Sequence, residues 1–195
     1  QEGRLLVRRL ADGPWLPLVD DPEFRVTDAA FSSDGTYLAA ATPSGAIRVW
    51  NARSFELQQS MESDMILNRL RFAPKGGALV SGATDGHIRW WKKTDSGEFQ
   101  QAAFITAHSD VVSGIATSTD GRLLATVSLD GAMRLWDASS GSEAFTTEIL
   151  DGRPRALTWS PDEDTSLTLL SFYQKTDTRF SAPLPYQLVE GVGDA

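Results

Sequence analysis

Apolar positions along the chain come in short bursts, separated by clusters of Ser, Pro, Asp and Gly, and no stretch keeps a helical period long enough to compete with strands. The bursts are organised as a repeat. Phe31 to Trp50 reads FSSDGTYLAAATPSGAIRVW, Phe72 to Trp91 reads FAPKGGALVSGATDGHIRWW, and Thr117 to Trp136 reads TSTDGRLLATVSLDGAMRLW; the three align without a gap. Trp159 to Phe180 fits as a fourth unit with about two residues inserted near Glu163 to Thr165. The end positions lie 41, 45 and 44 residues apart. Such a period marks an array of supersecondary units.

Within each unit the pattern predicts four strands. The first is short and apolar (Asp28 to Phe31, Arg69 to Phe72, Ser113 to Ala116) and ends at a turn rich in Ser, Asp and Gly. The second covers Tyr37 to Ala41, Ala78 to Ala83 or Leu123 to Ser128. A two-residue hairpin turn follows at Ser44-Gly45, Asp85-Gly86 or Asp130-Gly131. The third covers Ile47 to Trp50, Ile88 to Trp91 or Met133 to Trp136, and a looser fourth lies near Phe55 to Gln58, Phe99 to Ile105 and Ala144 to Ile149. Third strands with bulky groups on both faces predict sheets stacked between neighbours.

The units resemble the WD-repeat family, whose repeats open on Gly-His or Ala-His, turn on Asp-Gly and close on Trp-Asp. The match is fullest in the third unit, where Ala107-His108 stands 28 residues before Trp136-Asp137. The resemblance implies an all-β fold, a β-propeller of four-stranded antiparallel blades, and a structural hydrogen-bonded chain through His108, Ser128, Asp130 and Trp136. Unit two keeps Asp85 and Trp91 but has Ser63 and Ala83 at the His and Ser positions, and unit one has Pro22, Thr42 and Ser44 with Trp50.

Gly3 to Arg8 and Trp15 to Val19 look like the third and fourth strands of a half-blade. The expected organisation of residues 1–195 is one propeller segment: half-blade 1–20, blades 21–60, 61–106 and 107–150, a degenerate blade 151–190, and a tail 191–195. This count predicts an incomplete ring, the chain being a fragment or its ring being completed by another chain.

Composition narrows the chemistry. Without cysteine there is no disulfide scaffold, thiolate metal site or thiol catalysis, which fits a reducing compartment and the cytoplasm. No run of apolar residues is long enough to span a membrane as a helix. A net charge of −8 disfavours nucleic acid and favours a basic protein partner. His108, Ser128 and Asp130 superficially suggest a nucleophilic triad, but the same residues occupy the family's structural positions. His87 reads as a surface side chain. Asp162-Glu163-Asp164 lacks the ligand spacing of a calcium loop. Arg48, Arg89 and Arg134 recur beside the closing Trp, as packing or blade-to-blade ion-pair groups. No catalytic residue, metal or cofactor is expected.

What remains is the rim. In the family, partners dock on the loops entering the first strand and on the second hairpin turn, which here gives Arg25, Thr27, Ile66, Asn68, Val111, Ser113, Arg153 and Arg155, with Pro43, Thr84 and Leu129. The expected function is a non-catalytic protein-interaction scaffold. The alternatives are a regulatory or ligand-sensing tail of a larger signalling ATPase or protease, and, less favoured, an enzyme using the central channel.

Overall fold

A computed structural model describes residues 5–7, 16–19, 24–73, 77–118, 120, 122–148, 154–159, 166–170, 178–181 and 189–191. The strands are β1 (Leu6–Val7), β2 (Leu16–Pro17), β3 (Asp28–Phe31), β4 (Tyr37–Ala41), β5 (Ala46–Asn51), β6 (Leu57–Glu62), β7 (Leu67–Phe72), β8 (Ala78–Ala83), β9 (His87–Lys93) and β10 (Phe99–Thr106). They continue with β11 (Val112–Thr117), β12 (Leu123–Ser128), β13 (Ala132–Asp137), β14 (Glu143–Glu148), β15 (Ala156–Trp159), β16 (Ser166–Leu170), β17 (Thr178–Ser181) and β18 (Val189–Gly191). From β3 onward, each successive set of four forms one antiparallel sheet in chain order, here blades 1 to 4, while β1 and β2 make a two-stranded sheet. The described strands do not close a ring, since β1–β2 has no further strand among them.

The core lies between sheets. Leu5, Leu18 and Val19 pack on Phe24, Leu38 and Trp50 of blade 1. Val49, Leu70, Leu79 and Trp91 fill the layer between blades 1 and 2, and Val80, Trp90, Ile115, Leu124 and Trp136 the layer between blades 2 and 3. Val127, Met133, Leu135 and Leu157 join blades 3 and 4. Side chains alternate across each pleat, so Trp90 and Trp91 serve opposite layers.

Hairpin glycines also join the blades. Gly45 and Gly86 have φ of +91° and +86°, and a Cβ at either would stand 2.0 Å from the Ser63 carbonyl oxygen or 2.1 Å from that of His108. The loop leading to each following blade therefore presses directly on the turn: the Ser63 and His108 amides donate to the Gly45 and Gly86 carbonyls, both at 2.9 Å. The fourth strand of blade 1 begins at Leu57 and not at Phe55. Phe55 has φ +63°, and its amide closes a turn onto the Asn51 carbonyl. Gly141 fills the equivalent left-handed position in blade 3.

Candidate functional site

Behind the rim, blade 3 contains a buried relay. The Trp136 Nε1–H donates to Thr126 Oγ1 at 2.9 Å, Thr126 Oγ1 lies 2.8 Å from His108 Nε2, and His108 Nδ1 lies 3.2 Å from Asp130 Oδ2. The carboxylate facing Nδ1 fixes the tautomer: Nδ1–H donates to Asp130, so Nε2 accepts the Thr126 hydroxyl proton. Burial pushes the His108 pKa down, against the pull of Asp130, so the ring is held neutral. Burial alone would raise Asp130, but the Ala132 and Ser109 amides and His108 together hold its carboxyl below the ordinary value.

Ser128 is not in this chain; Thr126 takes its place. Trp136 pairs across the hairpin with Leu124. Thr126 is two residues along, on the same face and about 7 Å away, within indole reach, whereas Ser128 is four along and roughly 13 Å away. The Ser128 hydroxyl instead donates to the Asp110 carbonyl at 2.9 Å and accepts the Asp130 amide at 3.1 Å. Among the described residues no serine hydroxyl bonds to the His108 ring, and the triad geometry is absent from this site. In blade 2, Trp91 Nε1–H donates to Ser81 Oγ at 3.0 Å, so Ser81 and not Ala83 is the hydroxyl position. With Ser63 in the histidine's place the relay stops there. Blade 1 has Ala40 at that position, and its Trp50 packs edge-on to Phe24 with ring centroids 6.3 Å apart.

At the rim, loop and hairpin positions meet. The Thr84 amide donates to the Ile66 carbonyl and the Leu129 amide to the Val111 carbonyl, both at 3.0 Å. Pro43 occupies the matching position of blade 1 and has no N–H to donate. Arg25, Thr27, Pro43 and Arg155 are exposed, and Ile66 is 54% exposed despite being a large apolar side chain. Asn68, Val111, Thr84 and Leu129 are half-buried. Ser113 is not a surface contact: it is 3% exposed, and its hydroxyl donates to the Pro154 carbonyl of blade 4. Arg153 lies outside the described residues, as do Asp162 to Asp164.

The arginines beside the closing Trp have separate roles. Arg48 lies over the Phe24 ring at 4.2 Å, Arg89 is buried with Nη2 on Asp64 of the preceding loop, and Arg134 pairs with Glu143 at 3.1 Å within its own blade. His87 is half-buried, stacked on the exposed Phe104 with centroids 4.5 Å apart.

Sequence reasoning missed a ladder on the inner strands. Asp28 of blade 1 accepts the Leu70 amide at 3.0 Å and Arg71 Nη1 at 2.8 Å. Asn68 donates to the Val112 carbonyl at 3.0 Å. Arg69 spans two further blades, donating to the carbonyls of Ser113 at 2.7 Å and Arg155 at 3.3 Å. The visible signal was the equivalence of Asn68 and Ser113 in the repeat, each reaching the backbone of the next blade.

The family model described as "WD domain, G-beta repeat" matches residues 20–51, 56–92 and 99–137. Among curated proteins the chain is similar to angio-associated migratory cell protein of Homo sapiens, 28% identical over 87% of this chain and 38% of that protein. It is 27% identical to a subunit of chromatin assembly factor 1 of Mus musculus, over 64% of this chain and 26% of that protein. The target of rapamycin complex subunit wat1 of Schizosaccharomyces pombe is 30% identical over 57% and 35%. The chain thus spans well under half the length of these relatives. A chain in the crystal structure of the mitotic checkpoint complex superposes with a TM-score of 0.77 at 23% identity, over 87% of this chain and 52% of that one. The blades, their relay and the matched repeats together place this chain in the WD-repeat family.

Proposed function

We propose that the chain is a non-catalytic scaffold that binds proteins through the rim formed by the loops entering the inner strands and the adjacent hairpin turns. The observation that carries this is Ile66, an exposed isoleucine held by its carbonyl against the Thr84 amide, at the lead-in position of blade 2 that matches the exposed Arg25 of blade 1 in the repeat. Apolar and arginine side chains on a rigid support are the composition of interface hot spots. Two similar proteins are named as subunits of assemblies, which supports the reading. The acidic surface as a whole favours a basic partner for its outer parts. The one His–hydroxyl pair of the relay is buried and fully engaged, so it performs no acyl transfer in this reading.

The test is affinity capture with quantitative mass spectrometry, comparing the wild type with Ile66→Glu and with an outer-strand control, Leu57→Glu, followed by reconstitution of the captured complex from purified components. A partner lost at least about tenfold in Ile66→Glu and kept in Leu57→Glu is expected, since removal of a hot spot costs about 2 kcal/mol or more. Equal retention in both variants would contradict the rim as the binding surface.

A further inference from the structure

The loop that enters blade 2 carries Ile66 without the relay that fastens its counterpart in blade 3. Ser63 stands in the place of His108, and Asp85, in the place of Asp130, lies 3.1 Å from His87 Nδ1 of its own blade. A different tie holds this loop. Asp64, one residue after Ser63, pairs its Oδ1 with Nη2 of Arg89 on β9. Arg89 is two residues from Trp91, on the same face of β9, and Trp91 belongs to the layer between blades 1 and 2. The two members of the pair are placed very differently: the Arg89 side chain is 6% exposed and that of Asp64 78%. The guanidinium lies 4.7 Å from the centre of the Phe104 ring, and its Nε and Nη1 have no hydrogen-bond partner among the described residues. Arg134, the counterpart in blade 3, takes Glu143 at the head of its own outer strand β14, whereas β10 carries no acidic residue from Phe99 to Thr106. The guanidinium of blade 2 therefore draws its carboxylate from the loop.

From this exchange of partners we infer that the pair of Arg89 and Asp64 is a latch that positions the Ile66 loop for binding, in place of the histidine relay that blade 2 lacks. A buried guanidinium strongly favours keeping its carboxylate, because release leaves an uncompensated charge in an apolar layer. The latch falls between two backbone ties, the Ser63 amide on the Gly45 carbonyl at 2.9 Å and the Thr84 amide on the Ile66 carbonyl at 3.0 Å. Three consecutive attachments thus bracket the segment that ends at Ile66, and an anchor held in place beforehand loses less freedom on binding. The latch governs position more than overall stability, since a buried ion pair replaced by apolar groups of similar volume is often neutral or stabilising to a fold. This deepens the rim reading, on which it rests, by naming Arg89, buried out of a partner's reach, as a positioning residue for the rim's apolar anchor.

The test is amide hydrogen exchange followed by NMR on the whole chain, free of any partner, together with thermal unfolding. Asp64→Asn keeps the shape and removes the charge. It should speed exchange of the Ser63 and Thr84 amides about tenfold or more, while the His108 and Leu129 amides, which make the matching bonds in blade 3, stay near wild type. Asp64→Glu, which retains the carboxylate, should keep most of the protection. Arg89→Met should loosen the same two amides while the melting temperature stays level or rises, a split that a merely structural pair would not give. Unchanged exchange at Ser63 and Thr84 in Asp64→Asn, equal loosening of His108 and Leu129, or Asp64→Glu as loose as Asp64→Asn would each overturn the proposal. Its failure is distinguishable from failure of the rim reading, because exchange is measured without a partner: if Ile66→Glu releases the captured partner while Asp64→Asn leaves the loop protected, the scaffold stands and the latch falls.

Discussion

Blades 2 and 3 have the same strand order, the same Asp-Gly hairpin and the same closing Trp, yet they differ in how far the polar chain behind that Trp extends. In blade 3 it runs from Trp136 through Thr126 and His108 to Asp130. In blade 2 it ends at Ser81. Blade 2 also buries a second indole, Trp90, whose N–H has no partner among the described residues. The turns differ likewise: the Asp137 carboxylate is held down to about 2 by the hydroxyl of Ser139 and the amide and hydroxyl of Ser140, whereas Thr94 begins the matching turn of blade 2. Apolar layers and hairpin geometry suffice to make a blade. The relay fastens the loop that enters it.

Removing the central hydroxyl of each blade should give the largest difference. Thr126→Val strands both the Trp136 N–H and the His108 acceptor, and a loss of about 3 kcal/mol is expected by urea unfolding. Ser81→Ala strands only the Trp91 N–H and should cost about 1 to 2 kcal/mol. Equal losses would remove the distinction between the blades.

Acid should act through blade 3 first. The folded pKa of His108 lies below the ordinary histidine value of 6.5, so the unfolded chain takes up the proton more readily. The stability linked to this group is complete above about pH 6.5 and declines as pH falls from there toward the folded value. Unfolding curves between about pH 7 and 5 should show the decline in the wild type and a flatter profile in His108→Gln. At lower pH, Asp137 adds a second loss, as pH falls from the ordinary carboxylate value of 3.8 toward about 2.

Blade 2 can be completed. Ser63 stands where the histidine belongs, and Ser81, Asp85 and Trp91 are already in place. Ser63→His is expected to raise stability by about 1 kcal/mol near neutral pH and to introduce a second component of acid sensitivity. An unchanged pH profile would show that the new ring does not join the relay. The smallest effect is expected at Trp90: Trp90→Phe removes an unpartnered N–H along with some packing, and the melting temperature should move by less than that of Trp91→Phe.

Much of the fold was legible because repeat spacing, hairpin chemistry and apolar bursts all act locally. Tyr37–Ala41, Ala78–Ala83 and Leu123–Ser128 have the bounds that pattern alone predicts. Phe55 misled, because an aromatic that looks like the start of a strand sits in a left-handed turn. The relay was legible at His108, Asp130 and Trp136 but not at Thr126, since choosing between two hydroxyls on one strand requires the cross-strand register. The inner-strand ladder was hidden for a related reason: Arg71 is 43 residues from Asp28 and Arg69 is 44 from Ser113, and these partners meet only when blades stack. At the rim, exposure could be assigned only after folding, which left Ile66 outside and took Ser113 in.

The contrast between a complete and a truncated relay is tested most directly by hydrogen exchange of the indole N–H protons, followed by NMR. Trp90 and Trp136 are 1% and 2% exposed, so burial alone would protect them about equally, while hydrogen bonding separates them. The expected order of protection is Trp136, then Trp91, then Trp90, with Trp136 falling toward Trp91 in Thr126→Val. Equal protection of all three indoles, or no response of Trp136 to the loss of the Thr126 hydroxyl, would contradict the relay.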